Sequence, residues 1–486
     1  MLVLLTLLLG CGACGPSGSP PATGPATRPP ATTADPSGSD REEPVSTPGA
    51  DRPGRPATGS AAVGINEGVS IPQAFVTSGR ITPDQEPAML VADAAAVVDL
   101  GAGAVRANTA TYPWLSWWNS RRQGGGWSRA DAWIRAVTDA GLEPLVMVGP
   151  WPGNRTANYT DRYVPDDLDA YAAWVGRVVE RYDGDGIDDM PGLRAPVRAW
   201  EVDNEPDLHN SVAPRGGRSR VDPARFETPA EYARVLAVTA AAIRAADPDA
   251  VVLSAGFYRP HTDPGRDWIE RWLAEPGVRD SFDVLSLHCY FDGDDLDRVA
   301  RTLATWKATA PDKPLWVTET GVPSAGRKPW ISEEWQARMA VAVVGAFLAG
   351  GADRVFWHTL ADPPPNPASR RSPFASHSLR RTSADGTLVD KPAGTTFRRM
   401  MAHLGPTDPR SYQPRDDGDA RMLQTDRGWL LYWGTAVAPA GAREAIDLRS
   451  GDGRPLSTPI PAPAWFARAA SGDAPDGPQG SLLPPL

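Results

Sequence analysis

The chain has 486 residues, 41% of them hydrophobic, enough to bury one large core and a smaller module. Lys and Arg number 49 against 59 Asp and Glu, a formal charge of −10 without any long basic run, which argues against a nucleic-acid partner. Three cysteines, Cys11, Cys14 and Cys289, build neither a disulfide framework nor a four-cysteine metal site, and six dispersed histidines form no HExxH zinc motif.

The first ten residues, MLVLLTLLLG, are almost wholly apolar. They are too short to span a bilayer core of about 30 Å, which takes about 20 residues, and read as the apolar part of a signal segment. Leu8-Leu9-Gly10-Cys11 resembles the lipobox of bacterial lipoproteins. That resemblance implies lipidation at Cys11 and an exported protein held at the bacterial cell surface or in the periplasm by its lipid anchor alone. A plain secretory signal is the alternative. Residues 1–14 form this segment. Residues 15–60 hold 11 prolines and no aromatic residue, so they cannot bury enough apolar area to offset their ordering entropy and form a flexible tether.

From residue 61 the composition changes, and all 18 tryptophans lie beyond Tyr112. Short apolar runs of strand type now alternate with amphipathic runs of helix type. Strands are expected at 62–66, 104–108, 144–149, 197–202, 250–256, 283–288, 314–319 and 353–358. Helices are expected at 86–100, 129–140, 166–182, 230–246, 265–274, 294–308, 332–350 and 392–405. Gly101 and Gly141 act as stops, Ser128 as an N-cap, and Thr228-Pro229 as a cap with a first-turn proline. Strand runs without two-residue alternation belong to a parallel sheet covered on both faces. Eight strand-helix units over residues 61–405 predict an α/β fold, a (β/α)8 barrel. A doubly wound open sheet is the alternative, but no Gly-rich phosphate loop follows the first strand. Residues 406–470 change to alternating segments, at 420–434 and 445–456 around a Gly-Asp-Gly turn, and predict a small antiparallel β module. Residues 471–486 form a loose, Pro/Gly-rich tail.

The fourth strand runs into Trp200-Glu201-Val202-Asp203-Asn204-Glu205-Pro206 and the seventh into Trp316-Val317-Thr318-Glu319-Thr320-Gly321. In such a barrel, chemistry sits at the C-terminal ends of the strands. Glu205 and Glu319 are therefore expected at one mouth, as the acid/base and nucleophile that retaining glycoside hydrolysis sets about 5–5.5 Å apart. Ideal alternation places Glu201 and Asp203 on the same face as Glu205, as internal hydrogen-bond partners or supports.

Asn204-Glu205-Pro206 after one strand and Glu319 ending a later one resemble the signature of the clan of retaining (β/α)8 glycoside hydrolases that includes cellulases, mannanases, β-xylosidases and iduronidases. The resemblance implies that Glu205 is the general acid/base, Glu319 the nucleophile, and Asn204 a partner of the sugar 2-hydroxyl. It implies that Arg106 keeps the nucleophile ionised, that His288 touches substrate and Tyr290 the nucleophile, and that Trp357 stacks on the sugar in the cleaved subsite. A surface role for Arg106 and core roles for His288 and Trp357 are the alternatives.

Trp114, Trp117, Trp118 and Trp151 are candidate subsite residues, because pyranose rings offer CH-rich faces to exposed aromatics. The acidic run 183–192 lacks calcium-loop spacing, with Ile187 and Arg194 at ligand positions, and reads as a solvated loop. Loops of the form YDGDG…DMPGL are similar to those of the β-xylosidase/iduronidase branch, which points to glycoside hydrolase family 39. The expected activity is a retaining O-glycosidase acting on a polysaccharide or oligosaccharide, with no cofactor and no metal. A transglycosylase using the same residues and a non-catalytic carbohydrate-binding lipoprotein are the alternatives.

Overall fold

The computed structural model describes residues 62–67, 85–107, 115–117, 120, 126–150, 164–208, 228–291, 295–326, 328–362, 376–383, 387–405 and 411–468. Cys11, the tether and the tail lie outside these residues. Among the described residues, no helix is long and apolar enough to cross a membrane.

Parallel strands run in the order expected: β1 Val63–Asn66, β2 Ala104–Arg106, β3 Glu143–Val148, β4 Ala199–Val202, β5 in two pieces (Val251–Leu253 and Phe257–Tyr258), β6 Leu285–His288, β7 Leu315–Thr320 and β8 Arg354–His358. The first piece of β5 pairs with β4 and the second with β6, while β1 pairs with both β2 and β8, so the sheet closes on itself. Helices follow each strand: α1 Glu86–Asp99, α2 Ser128–Asp139, α3 Leu168–Glu180, α4 Pro229–Ala246, α5 Asp263–Leu273, α6 Leu296–Thr309, α7 Glu333–Ala349 and α8 Pro392–Leu404. This is a (β/α)8 barrel.

Local signals explain the helix ends. Thr228 and Glu231 form a reciprocal capping box with Pro229 in the first turn of α4. Gly101 and Gly141 take φ of 78° and 75°, which stops α1 and α2. Ser128 is not the cap expected of it: it is the first residue of α2, and Trp127 precedes it without a side-chain cap bond. Helix α7 is buried on nearly every side because it lies between the strands, α8 and the C-terminal sheet. On the sheet side a Cβ at Gly345 would lie 2.6 Å from Tyr432, so only glycine allows that approach.

The barrel interior is layered by two-residue alternation. Ala104, Leu145, Leu253, Val284, Trp316 and Phe356 form an apolar plug inside the barrel. Gly64 on β1 makes room for it, since a Cβ there would lie 2.6 Å from the Phe356 ring. Two residues further along, the inward side chains of six strands turn polar: Asn66, Arg106, Glu201, Ser286, Thr318 and His358. Intervening residues such as Ile65, Val105, Trp200, Leu287 and Val355 pack outward against the helices.

The C-terminal module is antiparallel, as expected, but differs in its strands. Its order is 413–417, 420–424, 428–433, 464–468, 442–447. The expected 445–456 run ends as a strand at Asp447, where the chain turns through Gly451, and its partner is 464–468. Leu423, Leu430 and Trp465 join the main core, while Met422, Trp429, Leu431 and Phe466 on the opposite face form a small core of their own. A three-stranded sheet of 361–362, 380–382 and 388–390, which no sequence pattern announced, links β8 to α8.

Candidate active site

The carboxylate crowd after β4 is tolerated because each member has its own partner. Glu201, fully buried, accepts from Arg106 Nε at 2.6 Å and from Ser286 Oγ at 2.7 Å. Asp203 accepts from the Asn204 backbone at 2.6 Å, Asp207 from the Tyr258 backbone at 2.8 Å, and Glu205 lies 2.8 Å from His288 Nδ1. Asp203 and Glu205 adopt φ of 73° and 51°, a region that disfavours side chains by about 1–3 kcal/mol each. These turns break the alternation expected of the stretch. Asp203, completely buried, feels the helix-side hydroxyls of Tyr171 and Tyr232, whose ionisation burial first and its charge second oppose. The loop is held to β5 by Glu205 N–H donating to Gly256 O at 3.1 Å.

Glu319 reaches the mouth by a different device. Alternation from Trp316 and Thr318, both inward, would turn the next residue outward. The register of β7 slips against both neighbours: Leu287 pairs with Val317 but His288 with Glu319, and Val317 pairs with Val355 but Thr320 with Trp357. One extra residue therefore bulges into β7, and a bulge re-aims the side chain beside it. Thr318 bonds Ser286 Oγ at 2.6 Å while Glu319 also faces in.

Arg106 joins the two ends. It is fully buried, which removes the surface alternative, and its guanidinium donates to Asn66 Oδ1 at 2.9 Å, Glu319 Oε1 at 2.7 Å and Asn204 Oδ1 at 2.8 Å as well as to Glu201. Tyr290 donates to the other oxygen of Glu319 at 2.8 Å. Burial alone would raise the Glu319 carboxyl, but positive charge on His288 and His358 when those rings are protonated, the Arg106 guanidinium and the Tyr290 hydroxyl outweigh it and hold the group below the ordinary carboxylate range. Burial draws His288 down to about 4, so its imidazole is neutral at neutral pH and Arg106 is the charge that keeps Glu319 ionised there. The imidazole lies over Gly256, where a Cβ would come within 2.0 Å of Nε2. A carboxylate oxygen of Glu205, one of Glu319 and a His288 nitrogen all lie within 4.8 Å of one another.

Six of the expected residues thus converge: Glu205, Glu319, Asn204, Arg106, His288 and Tyr290. Trp357 does not join them. It is fully buried in the outward core, donating from Nε1 to His377 O at 3.0 Å, because β8 alternation turns it toward the helices. His358, the next residue, takes the inward position. Trp117 is also core, 5.9 Å from both Tyr171 and Trp174. Trp114, Trp118 and Trp151 lie outside the described residues. Sequence reasoning passed over Asn66, Ser286, Thr318, Gly256 and His358; for all but Gly256 the signal was a polar residue two places beyond an inward apolar residue or glycine.

Two acidic groupings bear on metal binding. In the mouth, the Glu319 oxygens are engaged by Arg106 and Tyr290. In the 183–192 loop, Asp189 accepts from the Gly184 and Gly186 amides at 3.0 and 2.8 Å and Asp185 from Ile187 at 2.8 Å, so its acids brace the loop itself. Asp183 there is buried rather than solvated.

Residues 204–348 match the family model described as the glycosyl hydrolase catalytic core, a stretch that contains Asn204, Glu205, His288, Tyr290 and Glu319. Fold and site define a glycosidase built on a (β/α)8 barrel. Among solved structures, the chain is similar to a family 39 glycoside hydrolase from the gut symbiont Bacteroides cellulosilyticus, at 15% identity over 84% of this chain and 81% of that one, TM-score 0.56. It is also similar to a family 51 α-L-arabinofuranosidase from Bifidobacterium longum, at 14% identity over 85% and 96%, TM-score 0.55. A third is an exo-β-1,4-mannosidase from an Opitutaceae bacterium, at 18% identity over 74% and 62%, TM-score 0.51. At these identities the likeness is one of fold. No curated protein sequence matches the chain.

Proposed function

We propose that the protein is a retaining O-glycosidase of polysaccharides or oligosaccharides, with Glu319 as nucleophile and Glu205 as acid/base. The observation that carries this reading is the gap between the two carboxylates. An oxygen of one lies within 4.8 Å of an oxygen of the other, the close placement used in double displacement, where the carboxyl groups stand about 5–5.5 Å apart.

The surroundings divide the labour. Glu319, ion-paired and ionised, attacks the anomeric carbon while the bond to the leaving oxygen breaks and the Glu205 proton passes to that oxygen. Glu205, now a carboxylate, takes a proton from water, whose oxygen attacks the same carbon and frees Glu319. Asn204 has its oxygen committed to Arg106, so its amide nitrogen is the donor it can offer to the sugar 2-hydroxyl, a contact that tightens as positive charge develops. Within the class we place the chain nearest the family 39 branch, on the loop from Tyr182 to Leu193. We also propose export and lipid anchoring through Cys11, on its lipobox-like sequence; fatty-acid labelling that is lost in Cys11→Ser would support it.

The test of the reaction is incubation with a panel of aryl glycosides and polysaccharides, following the first-formed anomer by NMR. Retention is expected. An inverted product, or a wild type as inert as Glu319→Gln on every substrate while still binding a glycan, would overturn the reading.

A further inference from the structure

The inward position at the end of β8 belongs to His358, half-buried, with Trp357 turned away. The protonation pattern of this imidazole can be followed from Arg106. The guanidinium can only donate, so the Asn66 atom it meets at 2.9 Å is the amide oxygen, which leaves the amide nitrogen facing His358 Nδ1 at 2.8 Å. An amide nitrogen cannot accept. Nδ1 of His358 is therefore the acceptor and the ring hydrogen sits on Nε2. The ring stands edge-on to Tyr290, with centroids 6.1 Å apart, and Tyr290 in turn holds Glu319.

We propose that His358 is a substrate-contacting residue of the cleaved-sugar subsite, where its Nε2–H, fixed in that tautomer by Arg106 and Asn66, donates to a hydroxyl of the sugar ring. The inference rests on the glycosidase reading above and sharpens it: this wall of the subsite recognises a directed acceptor on the ring where an aromatic platform would read only its apolar face. The same Arg106 that keeps Glu319 ionised thereby also sets a specificity contact, through one intervening side chain. Such a contact favours sugars whose hydroxyl lies at that one position over analogues that lack it, which forgo the hydrogen bond.

The experiment uses an aryl glycoside hydrolysed by the wild type and its set of monodeoxy analogues. His358→Ala is expected to lower kcat/KM about 10-fold or more on the parent sugar. His358→Gln, whose amide nitrogen can stand near the place of Nε2, is expected to recover most of that loss. One deoxy analogue should be cleaved equally by wild type and His358→Ala, since the contact is already missing. Nitrogen-15 NMR of the resting enzyme should show the Nε2–H tautomer, and Asn66→Asp, which cannot donate to Nδ1, should reverse it. Wild-type activity in His358→Ala, equal losses in the Ala and Gln variants, or losses that add on every deoxy analogue would overturn the proposal. A wild type inert on all glycosides would instead overturn the glycosidase reading and this inference with it, so the two failures are told apart by the wild type alone.

Discussion

The ends of β4 and β7 deliver the same side chain to one gap by different means. At β4 the chain leaves the strand through two residues of positive φ, and Glu205 emerges with His288 as its hydrogen-bonded neighbour and 15% of its side chain exposed. At β7 the strand continues through a bulge, and Glu319 is gripped on both oxygens, by Arg106 and Tyr290, with 8% exposed. Donors and a cation aimed at a carboxylate favour its charged form. The two backbones therefore give the proposed acid and the proposed nucleophile different surroundings from identical side chains.

The strongest way to break the comparison is to remove each glutamate. Glu319→Gly should lower kcat about 10⁴-fold or more, and azide should restore turnover with an inverted glycosyl azide. Glu205→Ala should cost about 10²–10⁴-fold, less on substrates whose leaving group needs no proton. If azide rescued the Glu205 variant with inversion and not the Glu319 variant, the two roles would be exchanged.

Arg106→Met attacks the clamp. It leaves Glu201 and Glu319 buried without their cation, and a loss of about 3–5 kcal/mol in unfolding free energy is expected from urea titration. The acid limb of the pH–rate profile should also move to higher pH as Glu319 becomes harder to ionise. An unmoved acid limb would show that Arg106 does not govern Glu319.

Gly256→Ala tests the other side. The added methyl would come within 2.0 Å of His288 Nε2, so the ring must leave Glu205, and a displacement of about 1 Å in a catalytic neighbourhood costs about 10²-fold. Steady-state kinetics should place the loss in kcat, with Tm lowered far less than in Arg106→Met.

Stability should also depend on pH through His288. The folded His288 pKa, about 4, lies below its ordinary 6.5, so between these values the unfolded chain binds a proton that the folded chain does not. Its contribution is present above pH 6.5 and lost as pH falls toward 4. Calorimetry should find Tm falling more steeply over this window in the wild type than in His288→Asn; parallel curves would refute it.

Much of this was legible along the chain. Strand and helix runs fell within a few residues of their observed limits, because apolar periodicity and end signals such as Gly101, Gly141 and Thr228-Pro229 act locally. Asn204-Glu205 and Glu319 could be placed at the mouth because each lies where a counted strand must end. Less legible was the direction of individual side chains. Trp357 and His358 are neighbours, and one step of phase decides which enters the barrel. Glu319 enters only because of a bulge visible in its pairing with β6 and β8, and Asp203 leaves only because its φ is positive.

The sequence by itself determined the eight-fold alternation, the acidic residues at the fourth and seventh strand ends, and the antiparallel character of the C-terminal module, since these follow from spacing, residue type and turn chemistry. Only the closed barrel decided that Arg106 would reach across to Glu201, Glu319, Asn66 and Asn204, residues up to 213 positions away along the chain. Hydrogen bonding and ion pairing act over a few ångströms, and it is the curvature of the sheet that brings distant positions within that range.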